Sequence, residues 1–360
     1  MLLLYSRYGA YLSQEQVAEL VAPHPATLEL VSSWLEHHGV PSSSISTSHG
    51  GNWLTITRVP VSQANDLLGA SYQYFLHAET NETILRTLNY ALPTVLHEHV
   101  RTIVPTTFFG SGPPQTPLQM PHAHHSGVAA GKAKTESEEP VKVLSRRDLH
   151  VNPSLLRWLY GTIAYKPVSE ENNVLGTVSF RGRAANQADL ATFMTKYRPD
   201  AADANYVAVV VGGGKYDSKN PNDLGNLDVQ YAAAMAYPTP QLYYSISSTG
   251  DPFVSWFGHI LKQTGIPQTI GMSYGVAEQI VPLGYALGVC QLFAQLAVRG
   301  ASVLYASGNS GVGKGDCKVK DSSGNVHVEF RPTFPASCTR FLVSAYKQFT
   351  SVANLTAALL

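Results

Sequence analysis

An apolar run that breaks into a glycine-rich loop is the sequence feature that most constrains the fold. Residues 301–305 are Ala-Ser-Val-Leu-Tyr, and residues 306–313 continue as Ala-Ser-Gly-Asn-Ser-Gly-Val-Gly. A short β-branched and aromatic segment ending in small residues is typical of a buried parallel strand and a close-passing loop. Upstream, residues 284–299 have the apolar spacing of a helix. Such a loop is either a plain tight turn or the place where the chain meets a ligand or reacting group.

Strands and helices alternate through the second half of the chain. Apolar strands are predicted at 173–180, 206–211, 241–246 and 269–273, and helices are predicted between them at 187–197, 227–235 and 252–264. This alternation predicts a doubly wound α/β domain with a parallel sheet. The near-continuous apolar run 206–211 predicts a strand that is buried on both faces.

The first hundred residues predict a separate α+β unit. Ser13 begins a helix through a capping box with Gln16. Further helices are predicted at Thr27–His38, at 61–69 and after Pro93, and strands are predicted at 53–59, 72–77, 84–88 and 101–106.

A stretch of low apolar content separates the two units. Residues 109–148 contain many Gly, Pro, His and charged residues and predict a linker that buries no core. His122, His124 and His125 could bind a metal, although this spacing in a flexible segment favours a solvated tract. Arg146-Arg147 is either a charged surface pair or a proteolytic processing site.

Composition excludes several classes of protein. The net charge is +0 and charged residues make up 14% of the chain, which argues against nucleic acid and against an anionic membrane surface as partners. No run of eighteen apolar residues predicts a membrane span. Residues Met1–Tyr5 are too few for the apolar region of a signal peptide.

The three cysteines leave the disulfide pattern open. Cys317 and Cys338 flank a loop and could close it in an oxidising compartment, or both could stay reduced. Cys290, on the apolar face of the predicted helix, is expected to be a buried thiol.

Three segments in order resemble the sedolisins, or serine-carboxyl peptidases, and most closely their fungal tripeptidyl-peptidase branch. The segments are 224–231, 306–313 and 330–337. The resemblance implies a subtilisin-like doubly wound parallel sheet, incomplete at the C-terminus, preceded by a ferredoxin-like α+β activation (pro) domain. The implied domains are an activation domain at 6–108, a linker with a possible processing site at 109–148, a partial peptidase domain at 149–345 and a non-family tail at 346–360.

The family's chemistry uses four groups and works in acid. A serine in a Gly-Thr-Ser motif attacks the scissile carbonyl, and a glutamate takes its proton with support from an aspartate one helical turn later. A further aspartate, in the glycine loop, donates a hydrogen bond to the oxyanion. A carboxylate base needs a working pH near its pKa, and a carboxylic acid donates only while protonated, so the scheme suits an acidic medium.

The resemblance carries over onto this chain only in part. Asp228 matches the supporting aspartate, although an acid near a helix N-terminus needs no catalysis to explain it. Leu224 stands where the family has glutamate and cannot accept a proton, while the adjacent Asp223 would lie about 100° away around the helix. Asn309 stands at the oxyanion position, where its amide could donate at any pH or could simply stabilise a turn.

The serine nucleophile is absent. No Gly-Thr-Ser occurs in the chain, and Ser310 has no base beside it in sequence. Substrate-lining positions are implied at Ser273-Tyr274-Gly275 and at Ser307-Gly308, and Asp251–Phe257 resembles the helix that borders the cleft. Trp256 of that helix could instead be a core residue. No cofactor is implied in this chain, because the calcium expected for a full-length family member binds in the C-terminal part, which is missing here.

These observations predict a peptidase by descent that is inactive as written. The implied partners are a peptide or protein substrate in an incomplete cleft and the chain's own propeptide, with no nucleic acid and no membrane. Secretion, or a vacuolar location, is implied by the family, although this chain has no signal peptide. The alternatives are a non-catalytic module that binds or inhibits an active relative, and an unfolded product of a faulty gene model.

Overall fold

The computed structural model describes residues 9–76, 83–110, 151–168, 173–246, 251–306, 317–321, 323–338 and the backbone of 342–344. His122, His124, His125 and the Arg146-Arg147 pair lie outside these residues, as does the glycine loop from Ser307 to Gly313. In chain order, the helices are α1 (Gln14–Val21), α2 (Pro25–His37), α3 (Val61–Leu68), α4 (Pro153–Leu159), α5 (Gln187–Tyr197), α6 (Asp223–Ala236), α7 (Pro252–Ile260) and α8 (Leu283–Val298).

The strands are short in the first hundred residues and longer beyond them. In chain order they are β1 (Ile45–Thr47), β2 (Leu54–Ile56), β3 (Gln73–Leu76), β4 (Thr83–Arg86), β5 (Leu175–Phe180), β6 (Val207–Val211), β7 (Gln241–Ile246), β8 (Thr269–Met272), β9 (Val276–Ala277), β10 (Ser302–Ala306), β11 (Lys318–Lys320), β12 (Val326–Val328), β13 (Thr333–Phe334) and β14 (Leu342–Ser344).

Six strands form one parallel sheet in the order β14-β10-β8-β5-β7-β6. This order confirms the predicted doubly wound α/β fold, and the strand before the glycine loop, β10, lies inside the sheet with Val303 and Tyr305 buried. The prediction of two-sided burial for 206–211 is wrong. Among the described strands β6 lies at the edge of the sheet, and side chains on both of its faces are exposed, Val207 at 59% and Val210 at 41%.

Aromatic side chains fill the core between the sheet and the two helices α7 and α8. Phe253, Trp256 and Phe257 of α7 and Phe293 of α8 are each at most 2% exposed, and their rings contact one another. Trp256 is therefore a core residue, the second of the two roles considered for it.

The first unit is built from two separate two-stranded antiparallel ladders, β1–β2 and β3–β4, with helices α1 to α3. Its own core comprises Val31, Leu35, Val40, Leu67, Leu68 and Leu96. Two predicted elements are wrong. The helix after Pro93 is only a 3₁₀ turn, Thr94–Leu96, and residues 101–106 form no strand. A regular strand is disfavoured at 101–106 because Pro105 has no backbone N–H to donate to a neighbouring strand.

The first unit docks on the second at several points along its length. Leu12 N donates to Val298 O over 2.9 Å, and Trp53 packs against the core around α8. At the other end, Phe108 is 8% exposed and its ring lies 4.8 Å from that of Tyr285. Phe108 is therefore part of the core of the second unit, although it follows the first unit in sequence.

The disulfide joins Cys290 of α8 to Cys338, with a Cα–Cα distance of 5.6 Å. The expectations of a buried thiol at Cys290 and of a possible Cys317–Cys338 bond are therefore wrong. The physical reason is packing, because Cys290 and Cys338 both lie against the same core cluster. Cys317 instead immediately precedes β11, in the small β11–β12 ladder.

A buried carboxyl–hydroxyl pair ties α7 to α8. Asp251 caps α7, its Oδ1 accepting from Val254 N over 2.8 Å, and its Oδ2 accepts from Tyr285 Oη over 2.6 Å. Burial raises the pKa of Asp251, and the hydrogen bond from Tyr285 opposes that rise.

We expect Tyr285→Phe to lower the free energy of unfolding by about 1–2 kcal/mol, because it removes the partner of a buried carboxyl oxygen while keeping the ring. Chemical denaturation monitored by fluorescence measures the change. Tyr244→Phe is the matched control, since Tyr244 is also buried and no described residue hydrogen-bonds its hydroxyl. Equal effects of the two substitutions would contradict the assignment.

Candidate active site

Helix α6 is fixed against the segment that follows β5. Asn222 caps the helix, its Oδ1 accepting from Leu224 N over 2.9 Å, and Asn222 N donates to Ala184 O over 2.9 Å. One turn later, Asn226 Oδ1 accepts from Asn186 N over 2.9 Å. These bonds extend the helix four residues upstream of the predicted start at Leu227, so Leu224 and Asp228 lie in the same helix.

Gly225 permits the close approach of α6. A Cβ at this position would lie 2.4 Å from Ala184 O and 2.9 Å from the hydroxyl oxygen of Tyr243. Real Cβ atoms do not approach a backbone carbonyl oxygen this closely, so any larger residue would push the helix away. The contact therefore sets the position of Asp228 relative to the sheet.

Asp228 meets the end of β8. Ser273, directly after β8, donates a hydrogen bond from Oγ to Asp228 Oδ1 over 2.8 Å. Asp228 Oδ2 is fully enclosed and makes no hydrogen bond with any described residue, and the same holds for the nearby Ser179 Oγ. The structure thus brings together Asp228 and Ser273, two of the predicted site residues.

The environment of Asp228 favours its neutral form. Burial raises the pKa of this carboxyl to about 6, against the smaller opposing effects of the Ser273 hydroxyl, the Arg183 charge and the Ser179 hydroxyl. A carboxyl with this pKa changes its protonation state across the mildly acidic range, as a group working in an acidic medium must.

Leu224 lies one helical turn before Asp228 and is half-buried. Residues four apart share a helix face, so an apolar side chain occupies the position that would hold a second carboxylate. Asp223 is the first residue of α6 and is exposed, and it does not replace Leu224 on the site-facing side.

Tyr274 and Gly275 continue from Ser273 into a packed loop. The Tyr274 ring lies 5.0 Å from that of Phe180 and 5.7 Å from that of Phe253, and its hydroxyl donates to Gly110 O over 2.7 Å. A Cβ at Gly275 would lie 2.6 Å from Thr333 Cγ2, so this residue is packed tightly against β13. Gly110, the second residue of the predicted linker, therefore contacts Tyr274.

Four predicted site positions lie outside the described residues, namely Ser307, Gly308, Asn309 and Ser310. Their roles remain predictions. Within the described part of the chain, no group of three or more His, Cys, Asp or Glu side chains could hold a metal ion. No helix in the same ranges is long and apolar enough to cross a membrane.

Sequence reasoning missed Arg183 and Ser179, which both act on Asp228. The available signal was the Arg181-Gly182-Arg183 segment, in which two basic residues flank a glycine at the end of a predicted apolar strand. Ser179 had no comparable signal, because a serine within a strand is common and only the fold places it opposite α6.

Parts of this sequence are similar to a known protein family and to known proteins. The Pro-kumamolisin activation domain family matches residues 5–109. Tripeptidyl-peptidase SED2 of Arthroderma otae is 29% identical over 353 residues, which cover 92% of this chain and 57% of the relative. Probable tripeptidyl-peptidase SED3 of Trichophyton verrucosum is 30% identical over 355 residues, which cover 93% and 57%, respectively.

A solved structure, Pseudomonas sedolisin (serine-carboxyl proteinase) complexed with two molecules of pseudo-iodotyrostatin, is similar at a TM-score of 0.40 and 17% identity. The similar region covers 53% of this chain and 52% of the Pseudomonas sedolisin chain. This chain spans 57% of the length of the two curated relatives named above. The activation-domain match and the similarity to fungal tripeptidyl-peptidases along more than nine-tenths of the chain make this chain similar to the tripeptidyl-peptidases of the sedolisin family, a family of peptidases.

Proposed function

We propose that this chain binds peptides at the carboxyl edge of its parallel sheet and does not cleave them. The observation that carries the proposal is the composition of the α6 face, where Leu224 precedes Asp228 by one turn and no second carboxylate of the described residues stands beside it. Peptide hydrolysis by this family's scheme needs a carboxylate base, and a leucine side chain accepts no proton.

The arrangement around Asp228 also argues against turnover. A catalytic base is held in place by a third group, as in the nucleophile–base–orienting residue pattern of hydrolases. Asp228 Oδ2 has no such partner among the described residues. The Gly-Thr-Ser motif that would supply the family's nucleophile does not occur in the 360 residues.

One contact favours a second candidate function, residual hydrolysis. Ser273 Oγ and Asp228 Oδ1 are 2.8 Å apart, within reach for proton transfer from a hydroxyl to a carboxylate. On this alternative Ser273 is the nucleophile and Asp228 the base. If this alternative holds, the unmodified chain cleaves peptides and Ser273→Ala abolishes the cleavage. If the chain only binds peptides, neither the unmodified chain nor Ser273→Ala cleaves them.

The proposed setting is an acidic extracellular or vacuolar compartment. The pKa of about 6 at Asp228 supports it, because the group then titrates within the working range of such a medium. The Cys290–Cys338 disulfide also supports it, since disulfides persist in oxidising compartments.

Calorimetric titration of the purified full chain with a tripeptide amide at pH 5 tests the proposal. We expect saturable binding and recovery of the intact tripeptide after prolonged incubation. Absence of binding would overturn the proposal. If the chain instead acts as an inhibitory module, adding it at micromolar concentration to an active fungal tripeptidyl-peptidase will slow that enzyme, and an unchanged rate excludes the inhibitory role.

A further inference from the structure

Two arginines lie at the carboxyl end of β5, beside the site. The segment Arg181-Gly182-Arg183 turns sharply after Phe180, with φ of 71° at Arg181 and 63° at Gly182. A non-glycine residue in the left-handed region is uncommon, and such strain persists only where the surroundings hold it. The turn directs the chain so that Arg183 comes close to α6.

The backbone of Arg183 is firmly held. Its carbonyl oxygen accepts from Tyr243 Oη over 3.0 Å and from Ser245 Oγ over 2.7 Å. Both donors belong to β7, the strand next to β5 in the sheet. The guanidinium is therefore presented from a fixed point rather than from a mobile loop.

The guanidinium of Arg183 is half-buried but makes no hydrogen bond or ion pair with any described residue. Burial lowers its pKa, and the charge of Asp228 is the largest effect that opposes this. A guanidinium carries five N–H donors, and enclosing them without acceptors is unfavourable. The group therefore has donors to offer to a ligand.

Asp228 does not occupy these donors. Its Oδ1 accepts from Ser273 and its Oδ2 has no partner among the described residues. The other groups that face Arg183 are Arg181 of the same segment, Tyr243 of β7 and Tyr274 after β8. Among these described groups Asp228 is the one carboxyl, and it leaves the N–H donors of Arg183 without an acceptor.

We infer that Arg183 binds a carboxylate of a peptide ligand. The planar fork of the guanidinium matches a carboxylate with two parallel hydrogen bonds. The carboxylate is either an acidic side chain or a free C-terminus, and the inference rests on the proposed peptide-binding function. Asp228, in its neutral form, does not compete for the cation.

Titration of the full chain at pH 5, where Asp228 is mostly protonated and the carboxylates of the peptides are mostly ionised, with three tripeptides tests the inference. The peptides are Ala-Ala-Glu amide, Ala-Ala-Gln amide and Ala-Ala-Gln with a free C-terminus. We expect at least one of the two carboxylate-bearing peptides to bind about tenfold more tightly than the neutral amide. The peptide that gains affinity identifies the source of the carboxylate.

Substitutions separate the site from general charge effects. Arg183→Gln should remove the preference for the carboxylate-bearing peptide over the neutral amide, and Arg183→Lys should retain part of it. Lys262→Gln removes one exposed charge elsewhere and should leave the preference intact. Equal affinities of all three peptides for the unmodified chain, or a preference that survives in Arg183→Gln, would overturn the carboxylate site alone. Failure of all three peptides to bind would overturn the peptide-binding function itself.

Discussion

Asp228→Asn is expected to change the pH dependence of stability by about 3 kcal/mol between pH 3 and pH 7. The folded pKa of about 6 lies above the ordinary value of 3.8, so the folded state holds this proton more tightly than the unfolded chain does. Between these two pH values the unfolded state loses the proton first, and the contribution of Asp228 to stability falls as pH rises. The size follows from about 1.4 kcal/mol for each pKa unit.

Urea denaturation at half-unit steps from pH 3 to pH 7 measures this effect. Asparagine keeps an oxygen that can accept from Ser273 but carries no charge, so the free energy of unfolding of the variant should gain on that of the parent steadily from pH 4 to pH 6. Asp223→Asn removes an exposed carboxylate from the same helix and should give a curve parallel to the parent's. Parallel curves for Asp228→Asn would contradict the buried, proton-retaining state described for this residue.

Gly225→Ala is expected to lower the free energy of unfolding by about 3 kcal/mol, the upper part of the usual range for inserting a methyl group into a packed contact. The added Cβ would lie 2.4 Å from Ala184 O, and a backbone oxygen cannot turn aside as a side chain can. Relief of the overlap requires α6 to move, which would stretch the hydrogen bonds from Asn186 to Asn226 and from Ser273 to Asp228.

Gly258→Ala provides the matched control for this substitution. Gly258 also lies inside a helix, α7, but it is exposed and a Cβ there would meet nothing within 4 Å. Because alanine has the higher helix propensity, this variant should be as stable as the parent or up to about 1 kcal/mol more stable. Thermal denaturation of both variants and of the parent chain measures these differences in stability. A Gly225→Ala protein as stable as the parent would show that α6 does not depend on this contact.

Much of the fold could be predicted from local pattern. The apolar strands and the helices between them have strong periodicity, and the predicted bounds of α5 and β7 agree with the structure. The edge position of β6 could not be predicted, because an apolar run of five residues is the same at the centre and at the edge of a sheet. The pairing of Cys290 with Cys338 could not be predicted either, because it depends on which face of α8 packs against the segment that contains Cys338.

The site was partly predictable for a related reason. Asp228 and Ser273 belong to segments that resemble a known family, and the fold then brought them within 2.8 Å of each other. Arg183 acts on Asp228 only across the gap between β5 and α6, a contact that exists only once the sheet is assembled. The closeness of that gap rests on Gly225, whose importance no periodicity indicates.

The measurement that bears most directly on the proposed function is hydrolysis of a chromogenic tripeptide by the full chain between about pH 3 and pH 6, where a carboxylate base would work. With Leu224 in place of a base and no Gly-Thr-Ser serine, we predict a rate equal to that of the buffer blank, for the parent chain and for Ser273→Ala alike. Turnover above the blank that disappears in Ser273→Ala would contradict this account and would make Ser273 and Asp228 a catalytic pair.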